Sequence, residues 1–420
     1  MTGSGTQNDP YIIYDATDLQ NTDLNLTAYY ELANDINCSG IANFEPIGGW
    51  NGTNDFTGHF DGKRRKVFNL VVNRVTDDEV GLFGITDGAT ISNLRVESTL
   101  TGDDRVGGLS GNINGGTVTN CSTNTTLIAD TSRGGGFAGD IYGGAVITDC
   151  HSEGTVDEGG APFANYGGFA GWIGTGAVIT RCYSTVAVTA QNSDYVGGFA
   201  GYSSEATISR SFASGAVDGD TIVGGFIGLG AFGAGVTTTI EDCYATGAVH
   251  GVVDACGFCN SNGNSADSTL TMNRCYATGV ITCDAGAAPT EVAGFFYDKN
   301  AGTVTATGCF WDTESTTVSN SLYGTGKTTA EMKAINTFQE AEWLISTIWN
   351  LISSCNNGYP CLIDVNICCV AALSNLVDQS IIGNKVTLEA IRNIEMQYGG
   401  RFFVDKSGNA VWQSRYHRNV

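Results

Sequence analysis

The chain has 420 residues, 58 of them Gly, and only 15% are charged. A net charge of −23 excludes nucleic acid as a partner for most of the chain, because neutralising phosphates needs clustered Lys and Arg. The same balance disfavours an anionic membrane surface, and no run of about 18 apolar residues predicts membrane insertion.

Residues 1–14 contain no apolar segment of the kind that directs secretion. The expectation is a chain that leaves the cell by another route, such as inside a virion, or whose leader is missing from this sequence. Residues 3–20 predict a Gly/Asn/Pro turn, a strand over 11–14 and a short helix starting at Asp15 or Thr17. Strands are expected around Phe56–Phe60 and Val67–Val71, where apolar residues alternate. Residues 1–75 are thus read as capping strands, since the open first coil of a solenoid would expose a sheet edge. The basic run Lys63, Arg64, Arg65, Lys66 is read as a solvated turn.

From residue 76 to 327 the sequence repeats itself. A glycine-flanked bulky residue recurs as GLFG, VGGLSG, GGGFAG, YGGFAG, VGGFAG, VGGFIG, ACGFCN and VAGFFY. Each is followed by a strand-like stretch ending at Leu94, Cys121, Cys150, Cys182, Ser211, Cys243, Cys275 or Cys309, in steps of 27, 29, 32, 29, 32, 32 and 34 residues. This period, rich in Gly, Thr and Val and without helical spacing, predicts stacked coils of three short strands. Ile240 breaks the two-residue alternation of Cys243, Ala245, Gly247 and Val249, which predicts a bend just before each cysteine. Variable coil lengths favour the right-handed parallel β-helix over the more regular left-handed kind. A slot that accepts Leu, Cys and Ser is small and faces inward, so the six cysteines are expected as a ladder of buried free thiols. Rungs about 4.8 Å apart would permit a disulfide only in a favourable geometry.

After Trp311 the repeat stops. Residues 328–365 predict a capping helix with a Thr cap and Met332, Ile335, Phe338 and Trp343 at near-helical spacing, followed by a turn. Residues 366–420 form a small α+β tail: a helix over 388–400 and a hairpin over 402–415 turning at 406–409. The tail reverses the charge of the chain, with six Lys or Arg against three Asp or Glu over 385–420.

Sites of chemistry are sparse. GTGKTT (residues 324–329) lacks the earlier glycine of a phosphate-binding loop, since Ser321 stands there. Cys256 and Cys259 are packing substitutions, whereas Cys355, Cys361, Cys368 and Cys369 could form a disulfide or metal staple. His59, His151, His250 and His417 lie far apart and form no triad, and no catalytic residue, cofactor or metal is expected. Stacked coils could still bring two carboxylates together as polysaccharide cleavage requires. The residue after each cysteine equivalent is His151, Tyr183, Phe212, Tyr244, Tyr276 or Phe310. By alternation these face outward and stack in register, either to stiffen the face or to offer a platform for sugar rings, with Arg181, Arg210 and Arg274 beside them.

The repeats, residues 3–20, the FTGHFDG segment and residues 324–360 resemble the GLUG motif family over about residues 3–365. That resemblance implies a right-handed parallel β-helix on bacterial surface adhesins and some secreted proteases, and it carries no catalytic residues. The sequence AIRNIEMQYGGRFFVDKSGNAVWQSRYHR (390–418) is similar to a module of phage tail and minor structural proteins. The expectation is therefore an all-β chain: a right-handed parallel β-helix with an atypical N-terminal cap, a short C-terminal capping helix and a small α+β tail. It would be a non-enzymatic attachment protein, extracellular, on a cell surface or on a virion. Its partners would be a glycan or cell-envelope component and, through the tail, a larger assembly. A polysaccharide-cleaving β-helix enzyme and a passive structural fibre are the alternatives.

Overall fold

The computed structural model describes residues 1–49, 54–129, 132–160, 164–231, 233–261, 267–284, 292–298, 302–353 and 355–365, together with the backbone of strands 401–404 and 410–413. The chain divides into two units, Met1–Met332 and Lys333–Val420. The first is a right-handed parallel β-helix of about nine turns.

Three parallel sheets build this unit among the described residues: one of 24 strands along its length, one of seven from Val106–Gly107 to Val292–Ala293 and one of eight from Phe83–Asp87 to Phe296–Asp298. Each coil contributes the same sequence positions to each sheet. In the long sheet His151 pairs with Tyr183, Tyr183 with Phe212 and Phe212 with Tyr244. In the seven-stranded sheet Asn165 pairs with Tyr195, and in the eight-stranded sheet Trp172 pairs with Tyr202. The insertions that lengthen these coils therefore leave the pairing of equivalent positions in place, with register shifts at Ile227/Leu229 and in strand His59–Arg74.

Two ladders run through an interior otherwise filled mainly by Ile, Val, Leu and Ala. Phe137, Phe169, Phe199, Phe226, Phe258 and Phe295 stack with centroids 4.6–5.0 Å apart and all are fully buried. Opposite in each repeat, Cys121, Cys150, Cys182, Cys243, Cys275 and Cys309 are buried free thiols, as their spacing predicts. Their sulfurs point at backbone carbonyls two residues back, for example Cys243 Sγ to the Glu241 oxygen at 3.2 Å. Burial pushes the Cys150 and Cys275 thiols well up. Cys256 and Cys259 are buried in the same way.

The bend before each cysteine is a single left-handed residue: Asn93, Asn120, Asp149, Arg181, Arg210, Asp242 and Arg274 all have φ between 48 and 57°, and Gly308 has 60°. Asn and Asp tolerate this conformation, which explains four of the eight. At the other corner the glycine pair is tightly packed in most coils, with Cys256 and Ala293 standing at the first position in two of them. A Cβ on Gly167 would lie 2.0 Å from the Ala170 oxygen, and one on Gly168 would lie 2.2 Å from the Gly198 oxygen of the next coil.

The N-terminal cap holds strand Tyr11–Ile13 and helix Ala16–Gln20, whose N-cap Asp15 accepts from the Asp18 amide. The basic run is not a turn. It lies inside strand His59–Arg74 as a bulge, with Lys63 and Arg64 in the left-handed region. Lys63 binds Glu31 and Asp61, so the pairing of the strand with its neighbours prevails over the charge repulsion.

The long capping helix does not form. Thr328 and Glu331 make the expected capping box, but the helix is only Thr329–Met332, and Ala334 is extended. A second turn of helix, Ile335–Gln339, belongs to the other unit. There Phe338, Trp343 and Trp349 pack ring on ring, and Trp349–Asn350 pairs antiparallel with Cys361–Leu362. The near-helical spacing reflects this aromatic cluster, and Ile335 is exposed. Cys361 is disulfide-bonded and Cys355 is fully buried. The tail hairpin is present as Arg401–Val404 paired with Ala410–Gln413. The expected helix over 388–400, the hairpin turn, Cys368 and Cys369 lie outside the described residues.

Candidate functional site

The expected aromatic ladder exists, but it is not an open platform. His151, Tyr183, Phe212, Tyr244 and Tyr276 stack at 4.5–5.0 Å with their planes within 8°. Phe310 continues the file in register with Tyr276. Both faces of every inner ring are therefore covered by neighbouring rings, and a ring face is what a sugar packs against. Phe212 is 8% exposed, Tyr244 1%, Tyr276 0% and Phe310 6%, so these four are covered although they lie outside the inner core. Only the His151–Tyr183 end is partly open. Burial lowers the His151 pKa to about 4, so its ring is neutral at physiological pH and acts as another stacked ring.

The arginines beside the ladder are not free to bind a ligand. Arg181 makes a double hydrogen bond to Asp149 one coil below, at 2.7 and 2.9 Å. Arg274 does the same to Asp242 and also binds Glu241. These ion pairs lock the left-handed corner from coil to coil.

A second set of outward residues flanks the Gly-Gly-Phe motif. The seven- and eight-stranded sheets meet at the glycine corner so closely that outward side chains seven residues apart in one coil touch. Arg133 reaches Asp140 at 2.6 Å, and the Tyr195 and Tyr202 rings lie 6.3 Å apart. Register then builds two facing files, Arg133, Asn165 and Tyr195 on one side and Asn112, Asp140, Trp172 and Tyr202 on the other.

Half of this corner is aromatic. Tyr142, Trp172 and Tyr202 stack at 5.7 and 6.4 Å, Tyr195 leans on Tyr202, and all four are partly exposed. These rings are wider apart than those of the ladder: Tyr142, Trp172 and Tyr202 lie on successive strands of the eight-stranded sheet, with Tyr195 across the corner on the seven-stranded one. The other half is ionic. Arg105 is held by Glu79, Asp78 and Asp104, while Arg133 binds Asp140 and, at 3.5 Å, Asp104. The Arg133 guanidinium lies 5.9 Å from the Trp172 ring centre, within cation–π range. Asp140 is 2% exposed, and its burial raises the carboxyl pKa to about 7 against the pull of Arg133. Asp104 Oδ1, Asn112 Oδ1, Asp140 Oδ1 and Trp172 Nε1 are buried without a hydrogen-bond partner.

None of these corner residues was singled out from the sequence. The signal was the variability just outside the Gly-Gly-Phe motif: Arg, Asn, Tyr and Ile four residues before the Phe, and Asp, Trp, Tyr and Leu three after it.

The fold and this corner define a right-handed parallel β-helix with a mixed aromatic and ionic outer face. No family model matches the chain. It is similar to halomucin of Haloquadratum walsbyi, 36% identical over 26% of this chain and 2% of halomucin. It is also similar to the "Putative Gly-rich membrane protein" of Evansella cellulosilytica, 32% identical over 26% of this chain and 14% of that protein. The chain thus spans a small part of the length of both relatives. The crystal structure of a "putative immunoglobulin A1 protease" from Bacteroides ovatus superposes with a TM-score of 0.46 and 21% identity, covering 86% of this chain and 94% of that one. Among the described residues no helix is long and apolar enough to cross a membrane.

Proposed function

We propose that this β-helix is a surface-displayed binding protein that recognises a glycan or another cell-envelope component without cleaving it. The observation that carries the reading is the partly exposed run Tyr142, Trp172, Tyr202 and Tyr195 beside Arg133 and Asp140. Apolar ring faces pack on the C–H faces of sugars, and contiguous exposed apolar surface marks binding sites. Similarity to halomucin and to a Gly-rich membrane protein over a quarter of the chain supports display outside the cell or on its surface. The resemblance of the repeats to GLUG adhesins agrees with it. Attachment to a larger assembly, a virion included, falls to the C-terminal tail.

Glycan-array binding followed by calorimetry on the best ligand tests this. Trp172→Ala and Tyr202→Ala each weaken binding by about tenfold, the loss of one stacked ring. Unchanged affinity in the double variant would remove the corner from consideration. Reducing-sugar release from the bound polysaccharide would turn the reading into that of an enzyme.

A further inference from the structure

We infer that the corner is selective for uncharged or amine-bearing glycans and rejects those carrying carboxylate, sulfate or phosphate; this rests on the glycan reading above. The ionic half holds four carboxylates, Asp78, Glu79, Asp104 and Asp140, against two guanidiniums, Arg105 and Arg133. Both arginines are already engaged by these acids, Arg105 by three and Arg133 by two. An incoming acidic sugar therefore meets cations that are already neutralised.

The aromatic half carries the same sign. Asp194 is next to Tyr195 in the chain and Glu205 three residues beyond Tyr202; burial first, and these carboxylates in addition, raise the pKa of the two phenols, and burial with the nearby Asp220 raises that of Asp194. Of the buried atoms without partners at this corner, the Asp104, Asn112 and Asp140 oxygens are acceptors and Trp172 Nε1 is a donor, so acceptors predominate three to one. They favour a neighbourhood that brings donors, such as hydroxyl or ammonium, and penalise another acceptor-only group. Placing like charges together across an interface is how proteins exclude wrong partners. Asp140 and Asp104 are thus specificity-determining residues, acting through the arginines they neutralise.

Three oligosaccharide probes of matched length separate the cases: N-acetylchito-oligosaccharide (neutral), its deacetylated form (cationic) and oligogalacturonate (anionic). Wild type is expected to bind the first two and to bind the third at least about tenfold more weakly, with the gap narrowing as salt is added. Asp104→Asn/Asp140→Asn frees the guanidiniums and is expected to gain oligogalacturonate binding. Asp78→Lys, at a side chain 46% exposed, gives the same direction of change without touching the buried groups. Equal or tighter binding of oligogalacturonate by wild type would overturn this inference alone. No binding of any of the three removes it together with the glycan reading.

Discussion

The two stacks of rings in this protein differ in what a single substitution does. Phe199 lies between Phe169 and Phe226 with no exposed surface, so Phe199→Ala leaves a cavity and costs about 3–5 kcal/mol in denaturant unfolding. Tyr183, at the open end of the outer ladder, is expected to cost less than Tyr276, which is fully buried. Asp140 makes a separate prediction. Its folded pKa of about 7 exceeds the unfolded carboxylate value, so the folded state binds the proton more tightly. That stabilisation is present at acid pH and is lost as pH rises towards 7. Melting temperature measured from pH 4.5 to 8 should therefore fall less steeply with pH in Asp140→Asn than in wild type. At this scale the cysteine slot was legible because one position accepts Leu, Cys and Ser. The burial of Tyr244 and Tyr276 was not, because alternation gives a side chain's direction and says nothing of the rings stacked on it. The occupation of Arg181 and Arg274 was hidden for a similar reason, since each partner sits on the preceding coil.

Elements here are short, and most are fixed by backbone contact between coils. Gly215, Gly247 and Gly279 show the limit: a Cβ on Gly247 would lie 1.8 Å from the Gly215 oxygen, and one on Gly279 1.7 Å from the Gly247 oxygen. Gly247→Ala is expected to destabilise by about 2 kcal/mol or more, whereas Gly40→Ala, with nothing within 4 Å, should stay within about 0.5 kcal/mol. Parallel thermal melts of the two variants check the contrast. Strand existence and the bend before each cysteine were legible, since the repeat displays both eight times. The capping helix was misread because the apolar spacing of Met332, Phe338 and Trp343 arises from two separate packing sites. One buries Met332 against the last coil, and the other joins Phe338 to Trp343 and Trp349.

For the β-helix as a whole, each coil depends on the coils above and below it. Six equivalent thiols lie inside, each at most 2% exposed. A thiol reagent is expected to leave them unmodified in the native protein and to modify them together once denaturant separates the coils. Fast native modification of Cys150 or Cys275 would contradict the packed interior. The family-like repeat made this architecture readable in advance. The candidate site was less so, because it is written in the few letters outside the motif and is assembled only when seven-residue neighbours meet at the glycine corner.

That corner separates two jobs along the sequence. The glycines and phenylalanines hold the backbone, while the residues flanking them carry the surface chemistry and pack against nothing essential in the core. Duplicating, deleting or exchanging one repeat would therefore re-order the display, setting Trp172 beside a different neighbour while every coil kept its place in the stack. Such a surface can be recomposed by recombination between repeats, a faster route to a new ligand than point mutation within a single closed pocket.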